Sequence, residues 1–230
     1  MAKVLFTAIV ADMRNKLNGT VFSKNRYGAY TRTKVTPVNP QSVAQTTVRA
    51  RFAARAAAWR GLTDGQRFSW ISGAAGFPIT DIFGNSKILS GQALYGKLNL
   101  NLAQAGQVAI TTLPVAVAVP SLVSIAVESD LSDNNIEIAS PTAVIPAGFT
   151  GIVFATPLYG PGISFVKNKY RFITTIAAAG ALNGADIRVQ WGLINGPLVV
   201  GQKVSVKVFL VSNTTGQAGV PFTATTIVIA

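Results

Sequence analysis

The chain has 230 residues, with 20 Lys/Arg against 8 Asp/Glu for a formal net charge of +12, and neither cysteine nor histidine. Without Cys there is no disulfide framework and no thiol chemistry; without His, the Ser-His-Asp and Cys-His nucleophilic sites and Cys/His zinc sites are excluded. Charged residues are only 12% of the chain, where about 25% is usual, so the sequence predicts a surface largely covered by copies of itself or by partners, against the plainer reading of a compact β-protein with an Ala/Gly/Thr surface.

The charge is unevenly placed. Residues 1–106 hold 14 Lys/Arg and 3 Asp, whereas residues 107–230 hold 6 Lys/Arg and 5 Asp/Glu. In chain order, the apolar run Val4–Val10 is too short for a secretory apolar region or a membrane span and reads as a strand. No membrane anchor is expected. Residues 14–34 carry six bases and no acid. Asn18-Gly19 is a hairpin turn signal, and Asn25–Gly28 reads as a second turn. Strands are expected over Thr20–Ser23 and Ala29–Val35, and the prolines at 37 and 40 favour extended chain. Residues 1–40 thus read as a basic β-hairpin arm.

Past Pro40 the period changes to that of a helix. Val48, Phe52, Trp59 and Leu62 form an apolar stripe on a helix over Gln41–Gly61. Thr63-Asp64 starts a second helix, Gly65–Ser72, with Phe68 and Trp70. Gly73–Asn85 reads as a loop, and Ser90 caps a third helix, Gly91–Gln104, with Leu94, Tyr95, Leu98 and Leu102 on one side. A small core of Phe52, Trp59, Phe68, Trp70 and Leu94 is expected for this segment, 41–106. Arg49, Arg51, Arg55 and Arg60 frame the apolar stripe rather than forming the single basic face of a DNA-recognition helix.

From Gln107 onward the pattern is β. Strands are expected at Val108–Leu113, Ser121–Glu128, Ile136–Ser140, Thr150–Thr156, Tyr170–Ala177, Asp186–Gly192, Lys203–Val211 and Phe222–Ile229. Their short length and regular turns predict an antiparallel β-sandwich of immunoglobulin or fibronectin-III type over 107–230. The fold class is therefore α+β, mainly β.

Glu128, Asp130, Asp133 and Glu137 form the one acidic cluster; it reads as a solvated turn, with an oxygen-ligand cation site as the functional alternative. Gly148–Gly151 and Gly160–Gly162 lack the lysine and helix of a phosphate loop. No catalytic residue, metal or cofactor is expected, and no small-molecule substrate. The arm carries the functional expectation: Lys24, Arg26, Arg32 and Lys34 alternate with Tyr27 and Tyr30. Such a surface suits docking on an acidic patch of a neighbouring subunit, contact with nucleic-acid phosphates and bases, or plain solvation. A carbohydrate-binding or carbohydrate-cleaving β-module is a further alternative, with Trp191 and Tyr159 as its sugar platform.

Asn18–Pro40, Gln45, Arg49, Trp59–Thr63, Gln66–Trp70, Ser90-Gly91, Leu94-Tyr95, Leu98-Asn99, Gly201–Val208 and Val211–Gly216 resemble an uncharacterised group of proteins encoded by tailed phages and prophages and regarded as virion structural components. The resemblance implies a capsid, decoration or tail role, with copies of itself and other virion proteins as partners. It also implies a place in the virion, assembled in the host cytoplasm, and brings no catalytic residues.

Overall fold

The computed structural model describes residues 2–3, 10, 12–25, 28–80 and 85–230, without the side chains of residues 2, 3, 25 and 44. Apart from Val10, the strand expected at Val4–Val10 lies outside the described residues, as do Arg26 and Tyr27. The protein is a mixed α+β chain that divides into two compact units, Met1–Thr47 and Val48–Ala230. Composition and periodicity place divisions instead after 40 and after 106.

The first unit contains β1 (Ala2–Lys3), β2 (Asn15–Leu17), β3 (Thr20–Asn25) and β4 (Gly28–Thr33), in the antiparallel order β1-β4-β3-β2. Leu17 pairs with Thr20, so Asn18-Gly19 is a two-residue turn. Asn18 takes a positive φ of 52° there, which is why an Asn-Gly pair is favoured. The Lys34 N–H closes onto the Gly19 carbonyl at 2.8 Å.

Helix α1 (Val43–Gly61) begins in the first unit and ends in the second. Then come α2 (Asp64–Ser72), a 3-10 turn (Gly73–Gly76), β5 (Ile79–Thr80), β6 (Ser86–Lys87) and α3 (Gly91–Gln104). The start of α2 is written into its sequence. Thr63 accepts from the Gln66 N–H, and the Gln66 side chain accepts from the Thr63 N–H at 2.9 Å, a reciprocal cap. Ser90 caps α3 through the Ala93 N–H. Leu62, Trp70, Leu94, Tyr95 and Leu98 make the core of this segment, with Trp59 partly buried against it.

Two members of the expected core are not in it. Phe52 is 59% exposed and Phe68 68% exposed. Phe68 and Trp70 are two positions apart on one helix, hence about 200° apart around it, and cannot face the same side. Phe52 does share its face with Trp59. It stands two turns earlier, roughly 10 Å along the axis, where it lines an open cleft and stays exposed.

The rest of the second unit holds β7 (Ala126–Asp130), β8 (Asn135–Ala139), β9 (Phe149–Ala155), β10 (Arg171–Ile176), β11 (Ala185–Asp186), α4 (Arg188–Asn195), β12 (Lys203–Ser212) and β13 (Phe222–Ile227). They form two antiparallel sheets of order β10-β9-β12-β13 and β11-β8-β7. Both sheets feed one core: Val127, Ile136 and Ile138 from the smaller, Val153, Val204, Val206, Val208 and Leu210 from the larger. Along β12 the even positions 204–210 enter this core and the odd positions take the opposite face, the period-2 pattern of a strand. A parallel bridge between Asp130 and Ile229 joins the two sheets at one edge.

Two expected strands are something else. In Val108–Leu113, the Ile110 N–H and carbonyl are both held by the side chain of buried Asn99, at 2.8 and 3.1 Å, and Trp70 Nε1 donates to the Thr111 carbonyl at 2.9 Å. Side chains of the helices thus take the backbone groups a neighbouring strand would need. Asp186–Gly192 is mostly the helix α4. Asp186 Oδ1 accepts from the Arg188 N–H at 2.8 Å and starts the turn. Ile187 and Trp191, four apart, are buried, while Val189 between them is exposed; the alternation of large residues conceals a helical period.

Asn101 Nδ2 donates to the Gly216 carbonyl at 2.8 Å, and Ala105 packs on Ile152 and Val211 of the larger sheet. This close approach needs a glycine: Gly216 has φ +72°, and a Cβ there would lie 2.3 Å from the Leu98 carbonyl oxygen.

Candidate interaction surfaces

The antiparallel register sorts the basic residues of the β1-β4-β3-β2 sheet into two faces. Lys16 pairs with Val21 and Val21 with Arg32, so these three share one cross-strand row. Tyr30 is on that face, two residues from Arg32, whereas Lys24 belongs to the opposite face. A shallow recess of about 330 Å³ is lined by residues that include Arg14, Lys16, Lys24 and Arg32. Arg14 is paired with Asp12 at 2.9 Å. Lys34 is exposed just past β4. Of the expected set, Tyr30 and Arg32 thus share one face of the sheet, and Lys24 lines the same recess as Arg32. The row contains Lys16, which the sequence pattern alone does not single out; counting cross-strand partners back from the Asn18-Gly19 turn finds it.

A second surface is absent from the sequence-based expectations. On the outer face of the four-stranded sheet, Phe172, Phe154, Lys207 and Thr223 form one row across β10, β9, β12 and β13. The Phe154 ring stacks on Phe209 and meets Phe172 edge-on, each at 5.9 Å between centroids. The Lys207 ammonium lies over Phe154 at 4.7 Å and over Tyr170 at 4.8 Å. Desolvation holds the Lys207 ammonium below its ordinary value and raises the Tyr170 phenol above its own. The alternation along β12 tells from sequence that Lys207 points outward, but not which rings come to meet it.

The carboxylates of residues 107–230 all lie on the three-stranded sheet or its turns. Glu128 is opposite Glu137, and Glu137 opposite Asp186, a row of three acids across β7, β8 and β11. At the β7–β8 turn, Asp130 Oδ1 accepts from the Ser132 hydroxyl and from the Ser132 N–H, both at 2.7 Å. These bonds hold its carboxyl below the usual range. Among the described residues no group of His, Cys, Asp or Glu is arranged to hold a metal ion.

The sugar-platform alternative fails on both of its residues. Trp191 is fully buried and donates to the Thr156 carbonyl at 2.9 Å. Tyr159 is buried with its hydroxyl bonded to Ser205. No described helix is long and apolar enough to cross a membrane. Comparison of the chain with protein-family models, curated proteins and solved structures found no significant match.

Proposed function

We propose that the chain is a self-assembling structural component of a phage particle, a capsid, decoration or tail protein, that engages neighbouring subunits through its basic N-terminal arm. The observation that carries this reading is the Lys16–Val21–Arg32 row, a cationic face with an apolar centre on a sheet compact in its own right. Cations beside apolar side chains fit a protein surface that offers carboxylates. The resemblance to phage and prophage virion proteins points the same way. We also read the two sheets of 107–230 as a fibronectin-III-like sandwich. Its support is the strand order: of the seven strands β7 to β13, the first, second and fifth share one sheet, and the fourth, third, sixth and seventh the other.

A nucleic-acid-packaging role is the second reading, favoured by Tyr30 beside Arg32 on one face, where a ring can stack while the cation meets a phosphate. One experiment separates the two. The full chain and a Lys16→Gln/Arg32→Gln variant are compared by size-exclusion chromatography with light scattering and by nucleic-acid binding across salt concentrations. Docking predicts that the variant no longer assembles. Packaging predicts that assembly survives while the salt slope falls by about one for each phosphate the variant no longer neutralises. A wild-type chain that stays monomeric at high concentration refutes self-assembly.

A further inference from the structure

A cleft of about 470 Å³ opens between α1 and α3 in the second unit. Phe52, Ala56 and Leu100 give it apolar walls, and Gly96 leaves it room: a Cβ at that position would meet no atom within 4 Å. Arg55 and Lys97 bring two cations to it. Among the described residues the ion pairs are Arg14–Asp12 and Arg67–Asp64, so neither cleft cation has a carboxylate. The Arg55 Nε is buried with no hydrogen-bond partner. A buried N–H without an acceptor is costly. The cleft is therefore matched by an apolar tip flanked by carboxylates.

The chain itself carries such a tip. In the β7–β8 turn, Asp130-Leu131-Ser132-Asp133 sets Leu131, 41% exposed, between two acids. Among the described exposed large apolar residues it is the one with a carboxylate on each side within two positions. The tip is held in shape before any partner arrives: Asp130 Oδ1 binds Ser132, and the Leu131 N–H donates to the Ile229 carbonyl at 3.0 Å. Such preorganisation lowers the entropy cost of binding. None of these four residues lines the cleft of its own chain.

We infer that the α1–α3 cleft receives the Asp130–Asp133 tip of a second copy of this chain, with Leu131 against the apolar walls and its flanking carboxylates on Arg55 and Lys97. This rests on the self-assembly reading and adds to it an interface separate from the basic arm. Cleft and tip are different surfaces, so the association is head-to-tail, and its repetition builds a ring or a filament.

The test uses the full chain, followed by light scattering. Gly96→Leu fills the cleft and Leu131→Ser blunts the tip. Each variant is expected to melt no lower than wild type and to weaken assembly at least tenfold. Mixed together in a Lys16→Gln/Arg32→Gln background, which silences the arm, the two are expected to form a 1:1 dimer that grows no further, because one copy retains only a tip and the other only a cleft. Arg55→Glu should also weaken assembly, and Asp133→Arg added to it should restore it, which keeps the test decisive if Gly96→Leu misfolds. Variants that assemble like wild type overturn the cleft interface and leave the self-assembly reading standing. A cleft variant that fails while the tip variant assembles normally means another occupant, and overturns the assignment of the tip. A monomeric wild type overturns both.

Discussion

Trp70 stands edge-on to Tyr95, ring centroids 5.3 Å apart and planes at 89°, and Trp59 meets the same tyrosine from another direction at 5.4 Å. Tyr95 thus joins the two indoles into one cluster within the core of this segment. Trp70 is fully buried, so Trp70→Ala is expected to cost about 3–5 kcal/mol. Trp59, partly exposed, should cost about 1–2 kcal/mol. Phe52→Ala and Phe68→Ala should change stability by less than about 0.5 kcal/mol. Melting curves read by the remaining tryptophans check the order; equal effects at 59 and 70 would contradict it.

Two glycines on one helix face different surroundings. A Cβ at Gly91 would come within 2.8 Å of the Ile71 backbone nitrogen, whereas one at Gly96 meets nothing within 4 Å. Gly91→Ala is expected to destabilise by about 1–3 kcal/mol through overpacking of α2 on α3. Gly96→Ala should stabilise by up to about 1 kcal/mol, since alanine is the better helix former. Chemical denaturation of the pair decides it, and a stabilising Gly91→Ala would show that α2 and α3 are not so close.

The acid row gives a salt-dependent prediction. Glu137 lies between Glu128 and Asp186, and like charges directly opposite each other repel. Glu137→Gln should raise the melting temperature at low ionic strength, by the equivalent of a few tenths of a kcal/mol. The gain should shrink at about 1 M salt, where the screening length is only about 3 Å. A gain indifferent to salt would assign the effect to packing.

Lys207 makes stability depend on alkaline pH. Its folded value is depressed from 10.5 by desolvation. Between that lowered value and 10.5 the unfolded chain binds more protons, so this group makes stability rise with pH. Tyr170, raised from 10.0, acts oppositely: above its ordinary value the unfolded chain gives up the phenol proton first, and stability falls. Lys207→Met removes the rising component alone. The stability of wild type minus variant should therefore climb through this window in urea titrations; a flat difference would mean that Lys207 is as well hydrated folded as unfolded.

Local signals in the sequence carry the helices well. Thr63 with Gln66, and Ser90 before Gly91, are caps that act within four residues, and α2 and α3 begin where these predict. The turn at Asn18-Gly19 is legible for the same reason. Features decided by distant residues are not. Nothing near Ile110 announces that Asn99, eleven residues earlier, will occupy its backbone. Ile187-Arg-Val-Gln-Trp191 satisfies a strand period and a helix period over so short a stretch, and the turn that Asp186 starts by accepting from the Arg188 N–H favours the helix. The basic character of residues 14–34 is visible as composition, but its division between the faces of the sheet needs the register.

The Lys207 ammonium next to Phe154 in the Phe172–Phe154–Lys207–Thr223 row has a consequence for concentrated solutions. Flat aromatic rows on pleated sheets invite indiscriminate stacking, and a central positive charge is a gatekeeper against it. Removal of that proton in alkaline buffer leaves a continuous apolar stripe of three phenylalanines and a tyrosine. Lys207→Met is thus expected to raise turbidity of concentrated solutions at neutral pH, where the rest of the chain keeps its charge, without any need for the fold to melt.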